Sequence, residues 1–123
     1  MIEDLYKETI LELNRHPLNK NLLDDFGIET REFNPVCGDD ITVRIKFDKV
    51  GNVIGIGHQG VGCAISTAAA SVVTEAVKGR SKNEIMNMDI QTIYRLLGTE
   101  IIATRHQCAL LALKAIQTLC RSN

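Results

Sequence analysis

The chain predicts an α+β fold: a small antiparallel sheet of two to three strands with helices packed on one side, in one domain covering residues 1–123. Three observations carry this. "ITVRIKFD" (41–48) alternates apolar and polar residues without a fault, the period of a half-buried strand. "KVGN" then makes a turn into a second β-like run, "VIGIGH". The remaining apolar residues recur at helical spacing, in segments that open on capping residues and close on glycine. With 123 residues the chain can bury one core without covalent staples.

The elements follow in order. "IEDLYKETILELNRHP" places Ile2, Leu5, Tyr6, Thr9, Ile10 and Leu13 on one helical face, ending before Pro17. "PLNKNLLDDFGIETREFNP" is polar and broken by Gly27, so it reads mostly as loop with a short strand at most. In the next strand Ile41, Val43, Ile45 and Phe47 point one way, and Thr42, Arg44, Lys46 and Asp48 the other. "AISTAAASVVTEAVK" (64–78) is a small-residue helix closed by Gly79, its alanines and serines permitting close packing on the sheet. Ser81 with Glu84 forms a capping box for a short helix, and Asp89 opens another that Gly98 stops. The last helix is predicted to open at Thr104, with Gln107 in the capping-box position, and to run through "CALLALKAIQTLC".

Composition removes several classes of function. Lys and Arg number 14 against 15 Asp and Glu, a net charge of −1, which leaves no basic stripe for a nucleic acid. Aromatics are 4% with no Trp, which argues against base-stacking platforms. No stretch approaches the ~20 apolar residues that cross a bilayer. Glu3, Asp4, Glu8 and Glu12 are the wrong chemistry for a signal peptide, so a cytoplasmic location is expected. In that compartment Cys37, Cys63, Cys108 and Cys120 read as thiols or metal ligands rather than a disulfide framework.

Three of the four cysteines sit in contexts that suggest convergence. With Phe47 opposite Val53, paired positions in the hairpin sum to 100, and so do 37 and 63. That register places Cys37 and Cys63 facing each other at the open end of the hairpin, ~5 Å apart. Asp39, two residues after Cys37, shares its side of an extended segment. Gly38, Gly60 and Gly62 let the backbone bend closely around a ligand. Cys63 and Cys108 each fall at a helix N-terminus, where partial positive charge favours the thiolate. Three sulfurs and a carboxylate suit a tetrahedral zinc ion. They also suit an iron–sulfur cluster, which normally takes four thiolates and would be easier to release with one oxygen ligand. Cys120, twelve residues on, lies ~18 Å along the helix and belongs to its terminal face.

"NPVCGDD", "GVGCAISTAAASVVTEAVKG" and "RHQCALLALKAI" together resemble the IscU/SufU-type iron–sulfur cluster assembly scaffolds, the N-terminal domain family of NifU. "LYKETILELNRHPLNKN" is similar to that family's first helix and its asparagine–lysine segment, so the resemblance spans the chain. It implies a scaffold, not an enzyme in the usual sense, that accepts persulfide sulfur from a cysteine desulfurase of the SufS, IscS or NifS type. It further implies that a labile [2Fe–2S] cluster is built and passed to apo iron–sulfur acceptor proteins. In the SufU branch the same site binds Zn²⁺ and relays sulfur. Carried over, Cys37, Cys63 and Cys108 would be ligands and sulfur acceptors, Cys108 foremost, and Asp39 the fourth ligand. "GVGCAIS", with Ala and Ile directly after the cysteine, is closer to SufU, and Arg105 three before Cys108 also fits that branch. Gln107 stands where IscU proteins carry His, and "TEIIATRHQC" lacks their proline-rich chaperone segment. Only 44 residues separate Cys63 from Cys108, without the insertion common in SufU.

Other readings of the same residues stay open at the level of sequence. Cys108 with His106 is the one adjacent thiol–imidazole pair that a cysteine nucleophile could use, although residues two apart on a helix diverge. A closed structural zinc site is a further reading. His106 is expected as a solvated histidine at the helix start, His58 as the end of a strand and His16 as the end of the first helix, neither with a ligand role, and Lys114 as surface charge. Arg105 would help hold a nearby sulfur in its anionic form.

Overall fold

The computed structural model describes residues 2–25, 27–35 and 38–122, with only the backbone described for 2–7 and 122. Cys37 lies outside the described residues. The elements are α1 (Ile2–Arg15), β1 (Ile28–Asn34), β2 (Asp39–Phe47), β3 (Val53–Val61), α2 (Ala64–Val77), α3 (Lys82–Met86), α4 (Ile90–Leu97) and α5 (His106–Ser122). The strands form one antiparallel sheet in the order β1-β2-β3, with α2 and α5 against its inner face. This is the expected α+β arrangement.

Strand β2 organises the sheet. Ile41, Val43 and Ile45 are buried on the helix side, while Thr42, Arg44 and Lys46 are half-buried on the other. That outer face is held by ion pairs, Arg44 to Glu29 at 2.7 Å and Lys46 to Asp25 at 2.6 Å, and by Arg31 with Asp40. β1 is a full seven-residue strand where the sequence suggests mostly loop. Its inward positions are Ile28, Thr30, Glu32 and Asn34, whereas Phe33 faces out. The inner face is therefore largely polar, and a hydrophobic alternation cannot reveal it.

The hairpin register also departs from expectation. Phe47 does pair with Val53, but Lys46 pairs with Gly55, and from there the pairs sum to 101 up to Asp40 with Val61. The extra residue is Ile54, a bulge residue that is exposed. Extended beyond the ladder, the observed register no longer sets positions 37 and 63 opposite each other. The turn itself is fixed by Asp48, whose Oδ1 accepts the backbone N–H groups of Val50, Gly51 and Asn52, each at 2.9 Å. These bonds, that from Asn52 foremost, hold the Asp48 carboxyl below its ordinary range.

The helices begin and end largely as their capping residues dictate. The boxes at Ser81 and Asp89 are both formed, and Gly98 ends α4 in the left-handed conformation. α2 ends at Val77, with Lys78 as its cap and Gly79 following at φ +78°. Thr104 does not cap the last helix. A 3-10 turn, Ala103–Arg105, leads directly into α5 at His106. Alanines 68, 69, 70, 109, 112 and 115 are buried where α2, α5 and the sheet approach, with Val43, Ile45, Leu113 and Ile116 filling the centre.

Edge strand β3 is covered by the segment after α1. His58 N–H donates to the Asn19 carbonyl at 2.9 Å, and Asn19 donates from Nδ2 to Thr74 Oγ1 and Glu75 Oε1, both at 3.1 Å. The His58 ring is buried and its Nε2 meets the Leu18 carbonyl at 2.9 Å. β3 runs on past it to Val61, so His58 is an interior residue of the strand and not its end. Burial holds the His58 imidazole below its ordinary value.

Leu113→Ala, at a site 1% exposed, removes fully buried volume and should cost about 2–5 kcal/mol in urea unfolding. Val50→Ala, at a turn tip 84% exposed, should change stability by no more than about 0.5 kcal/mol. Because the folded chain keeps His58 neutral, the unfolded chain binds the additional proton as pH falls. The stabilisation is complete above the ordinary value near 6.5 and is lost as the pH drops below it. The urea midpoint should therefore fall between about pH 7 and pH 5, and His58→Gln should flatten that dependence.

Candidate metal centre

The inward stripe of β2 runs Ile45, Val43, Ile41 and then Asp39. A carboxylate thus occupies the position where the pattern calls for another apolar side chain, and it is only 2% exposed. An uncompensated charge there would be costly. Asp39 Oδ1 accepts the Cys63 backbone N–H at 2.8 Å, across 24 residues of sequence. That bond ties the start of β2 to the start of α2. It needs β3 to lie close on β2, and Gly60 permits this: at φ +152°, a Cβ there would stand 2.0 Å from the Asp40 carbonyl oxygen. A Cβ at Gly62 would likewise stand 2.2 Å from Ser66 Oγ.

Cys63 is the N-cap of α2, and its Sγ accepts the Ser66 N–H at 3.4 Å. Ser66 in turn donates from Oγ to the Cys63 carbonyl at 3.0 Å, so the side chain and the cap hold one another. Cys63 is half-buried and its Sγ lies 3.9 Å from Asp39 Oδ2. Cys108 enters from the first turn of α5 and is 1% exposed. Two N–H donors reach its sulfur over long contacts, Asn34 Nδ2 and Arg105 Nη1, each at 4.0 Å. The first turn of α2 thus directs a backbone N–H at the Cys63 sulfur, whereas the Cys108 sulfur meets side-chain donors.

The ligand atoms of Asp39, Cys63 and Cys108 all lie within 4.8 Å of one another. In a tetrahedral zinc site two bonds of about 2.3 Å set the sulfurs about 3.8 Å apart, so adjustments of about an ångström bring the three onto one ion. Soft sulfurs beside one hard oxygen fit zinc or an iron–sulfur cargo better than they fit calcium or magnesium. Asp39 and Cys108 are buried and Cys63 is half-buried, so the trio lies largely beneath the surface where the start of β2 meets the starts of α2 and α5.

The remaining candidates sort clearly. Cys37, expected as the third sulfur, lies outside the described residues, although the Gly38 N–H beside it donates to the Asn34 carbonyl at 2.7 Å. Arg105 does stand near the Cys108 sulfur. His106 is half-buried, and its Nε2 is engaged by the Tyr94 hydroxyl and, at 3.1 Å, the Ile101 carbonyl. A Cys108–His106 nucleophile pair has no support in this geometry. Cys120 is buried in the core, and burial pushes its thiol up. Lys114 is exposed. Asn34 and Ser66 are contributors that sequence reasoning missed. Asn34 carried one usable signal, a polar residue on an inward strand position three before a cysteine.

Three comparisons bear on this site. The NifU-like N-terminal domain family matches residues 5–121. A zinc-dependent sulfurtransferase SufU from Bacillus subtilis is 31% identical over 134 aligned positions, covering 94% of this chain and 89% of that protein. An iron–sulfur cluster assembly scaffold protein IscU from Streptococcus pyogenes is 37% identical over 86 positions, 69% of this chain and 52% of that one. An iron–sulfur cluster assembly enzyme IscU from Drosophila melanogaster is 33% identical over 92% of this chain and 74% of that protein. Among solved structures, the N-terminal part of a NifU-like protein from Brucella abortus superposes with a TM-score of 0.78 at 21% identity, covering 98% of this chain and 94% of that one. At that identity the likeness speaks for the fold.

The contact between Asn34 and the Cys108 sulfur generates a prediction. Asn34→Ala should weaken Zn²⁺ binding about 10–100-fold, as loss of an outer partner of a metal ligand does, measured by competition with a chromophoric chelator. An unchanged affinity would mean that Asn34 has no hold on the sulfur.

Proposed function

This chain belongs to the NifU-like N-terminal domain family, and on that footing we propose that it is an iron–sulfur cluster assembly scaffold acting in the cytoplasm. It takes sulfur from a cysteine desulfurase of the SufS, IscS or NifS type, assembles a labile [2Fe–2S] cluster and passes it to apo iron–sulfur acceptor proteins. The observation that carries the proposal is the meeting of Asp39, Cys63 and Cys108 within 4.8 Å. Cys37, one residue before Gly38, supplies the third sulfur and Asp39 the single oxygen ligand. Such a set suits a carrier, because one hard oxygen among soft sulfurs makes the cargo easier to release.

Cys108 is the sulfur acceptor. Its thiolate attacks the outer sulfur of the desulfurase persulfide. One S–S bond breaks and one forms, and the desulfurase cysteine leaves as thiolate. Arg105, 4.0 Å from the sulfur, supports the anion on both sides of that exchange. The exchange is neutral in electrons; conversion of the transferred sulfur to sulfide takes two electrons per atom from a separate reductant. The chain acts as a scaffold here and turns over no small-molecule substrate of its own.

A second reading has its own observation. Likeness to the zinc-dependent SufU covers 94% of this chain, against 69% for the streptococcal IscU. In that reading the same four ligands hold Zn²⁺, and the chain relays persulfide from its desulfurase.

Anaerobic purification followed by ferrous iron and sulfide tests the two. The scaffold reading expects broad visible sulfide-to-iron absorption, absent from the Cys37→Ala, Cys63→Ala and Cys108→Ala variants. It expects a longer cluster half-life in Asp39→Ala, and a shorter one would contradict the releasing role. Zinc that resists exchange, with persulfide appearing on Cys108 and no cluster formed, would select the relay instead.

A further inference from the structure

Cys108 is 1% exposed, so a sulfur donor reaches it only after the start of α5 moves. The segment that would move is the connection from Gly98 to Arg105, and it is anchored at both ends by one residue of α4. The Tyr94 carbonyl accepts the N–H groups of Gly98 at 2.8 Å and Thr99 at 3.1 Å, fixing where the connection leaves the helix. The Tyr94 hydroxyl lies 3.2 Å from the Ile101 carbonyl and within hydrogen-bond reach of His106 Nε2, fixing where the connection enters α5. One proton arrangement serves all three groups. The imidazole Nε2–H donates to the tyrosine oxygen, and the tyrosine O–H donates to the Ile101 carbonyl. The two rings are tilted at 56° with centroids 5.8 Å apart, so they are also in contact.

Arg105 and Cys108 flank His106 on this anchored stretch. We propose that the Tyr94 hydroxyl, through His106 and the Ile101 carbonyl, is a latch that holds the connection closed and controls access to Cys108. Tyr94 is thus a positioning residue, since it touches neither ligand nor sulfur. The assignment rests on the reading of Cys108 as the sulfur acceptor, and it adds the step that precedes acceptance. Local opening before exchange would let the chain keep its sulfur out of reach of stray oxidants and thiols until the connection lifts.

The chain carries its own controls, because Cys63 lies on a different helix and Cys120 is buried near the far end of the same helix. The experiment uses the metal-free full chain, treated with iodoacetamide, with labelling of each cysteine followed by peptide mass. Tyr94→Phe keeps the ring and deletes the hydroxyl. Loss of the two bonds it makes should raise the labelling rate of Cys108 about tenfold, with Cys63 and Cys120 unchanged. His106→Phe should raise it similarly, and the double variant should gain less than the product of the two. Equal acceleration at Cys108 and Cys120 would mean that the whole helix has loosened, and no acceleration at Cys108 would mean that no latch exists; either result overturns the assignment. Because no metal or desulfurase is present, this outcome is separate from the sulfur-acceptor reading, which fails instead if the wild-type chain takes up no persulfide.

Discussion

One hydrogen bond joins the two halves of the site: the Cys63 backbone N–H to Asp39 Oδ1 at 2.8 Å. It places a carboxylate at the end of an apolar stripe and satisfies it with the first orphan donor region of a helix. That bond helps hold the acid 2% exposed at the sheet end and ties the origin of α2 to β2. The local features serve the same junction. Gly60 lets the strands close, Gly62 leaves room for Ser66, and the side chain of Cys63 caps the helix that its backbone helps anchor.

The third arm depends on packing at longer range. α5 crosses the sheet against β1 and β2 and packs along α2 through small residues, so the depth of its first turn is set by the core. Native packing tolerates little slack. Cys108 therefore arrives beside Asp39 and Cys63 by the same contacts that stabilise the domain, while Asn34 reaches it from the end of β1. β1, β2 and α5 contribute Asn34, Asp39 and Cys108 to the site, and the start of α2 contributes Cys63 and Ser66. Affinity for a metal or cluster and stability of the fold should accordingly be coupled, as is general where ligands come from separate elements.

Much of this was legible in the order of residues, and the exceptions have physical causes. β2 was plain because its alternation is complete, and α2, α3 and α4 because caps and small residues mark them. β1 was obscured because its inner side carries Thr30, Glu32 and Asn34 while Phe33 points outward, which inverts the usual signal. The bulge at Ile54 was invisible, since one extra residue in a strand leaves no mark in composition, yet it shifts every later pair by one. Thr104 looked like a cap, but a 3-10 turn carries the chain into α5 without one. The local contexts pointed to a meeting of Cys37, Asp39, Cys63 and Cys108; Asp39, Cys63 and Cys108 lie within 4.8 Å of one another, and Cys37 lies outside the described residues. The roles of Asn34 and Tyr94 depend on contacts across 74 and 12 residues, which no local pattern records.

The central claim is that one buried carboxylate and three cysteine sulfurs from separate parts of the chain share a single centre. X-ray absorption at the zinc edge of the Zn²⁺-loaded wild-type chain tests it most directly. The account predicts three sulfur scatterers at about 2.3 Å and one oxygen at about 2.0 Å. A first shell of four sulfurs, or one with fewer than three, would contradict it.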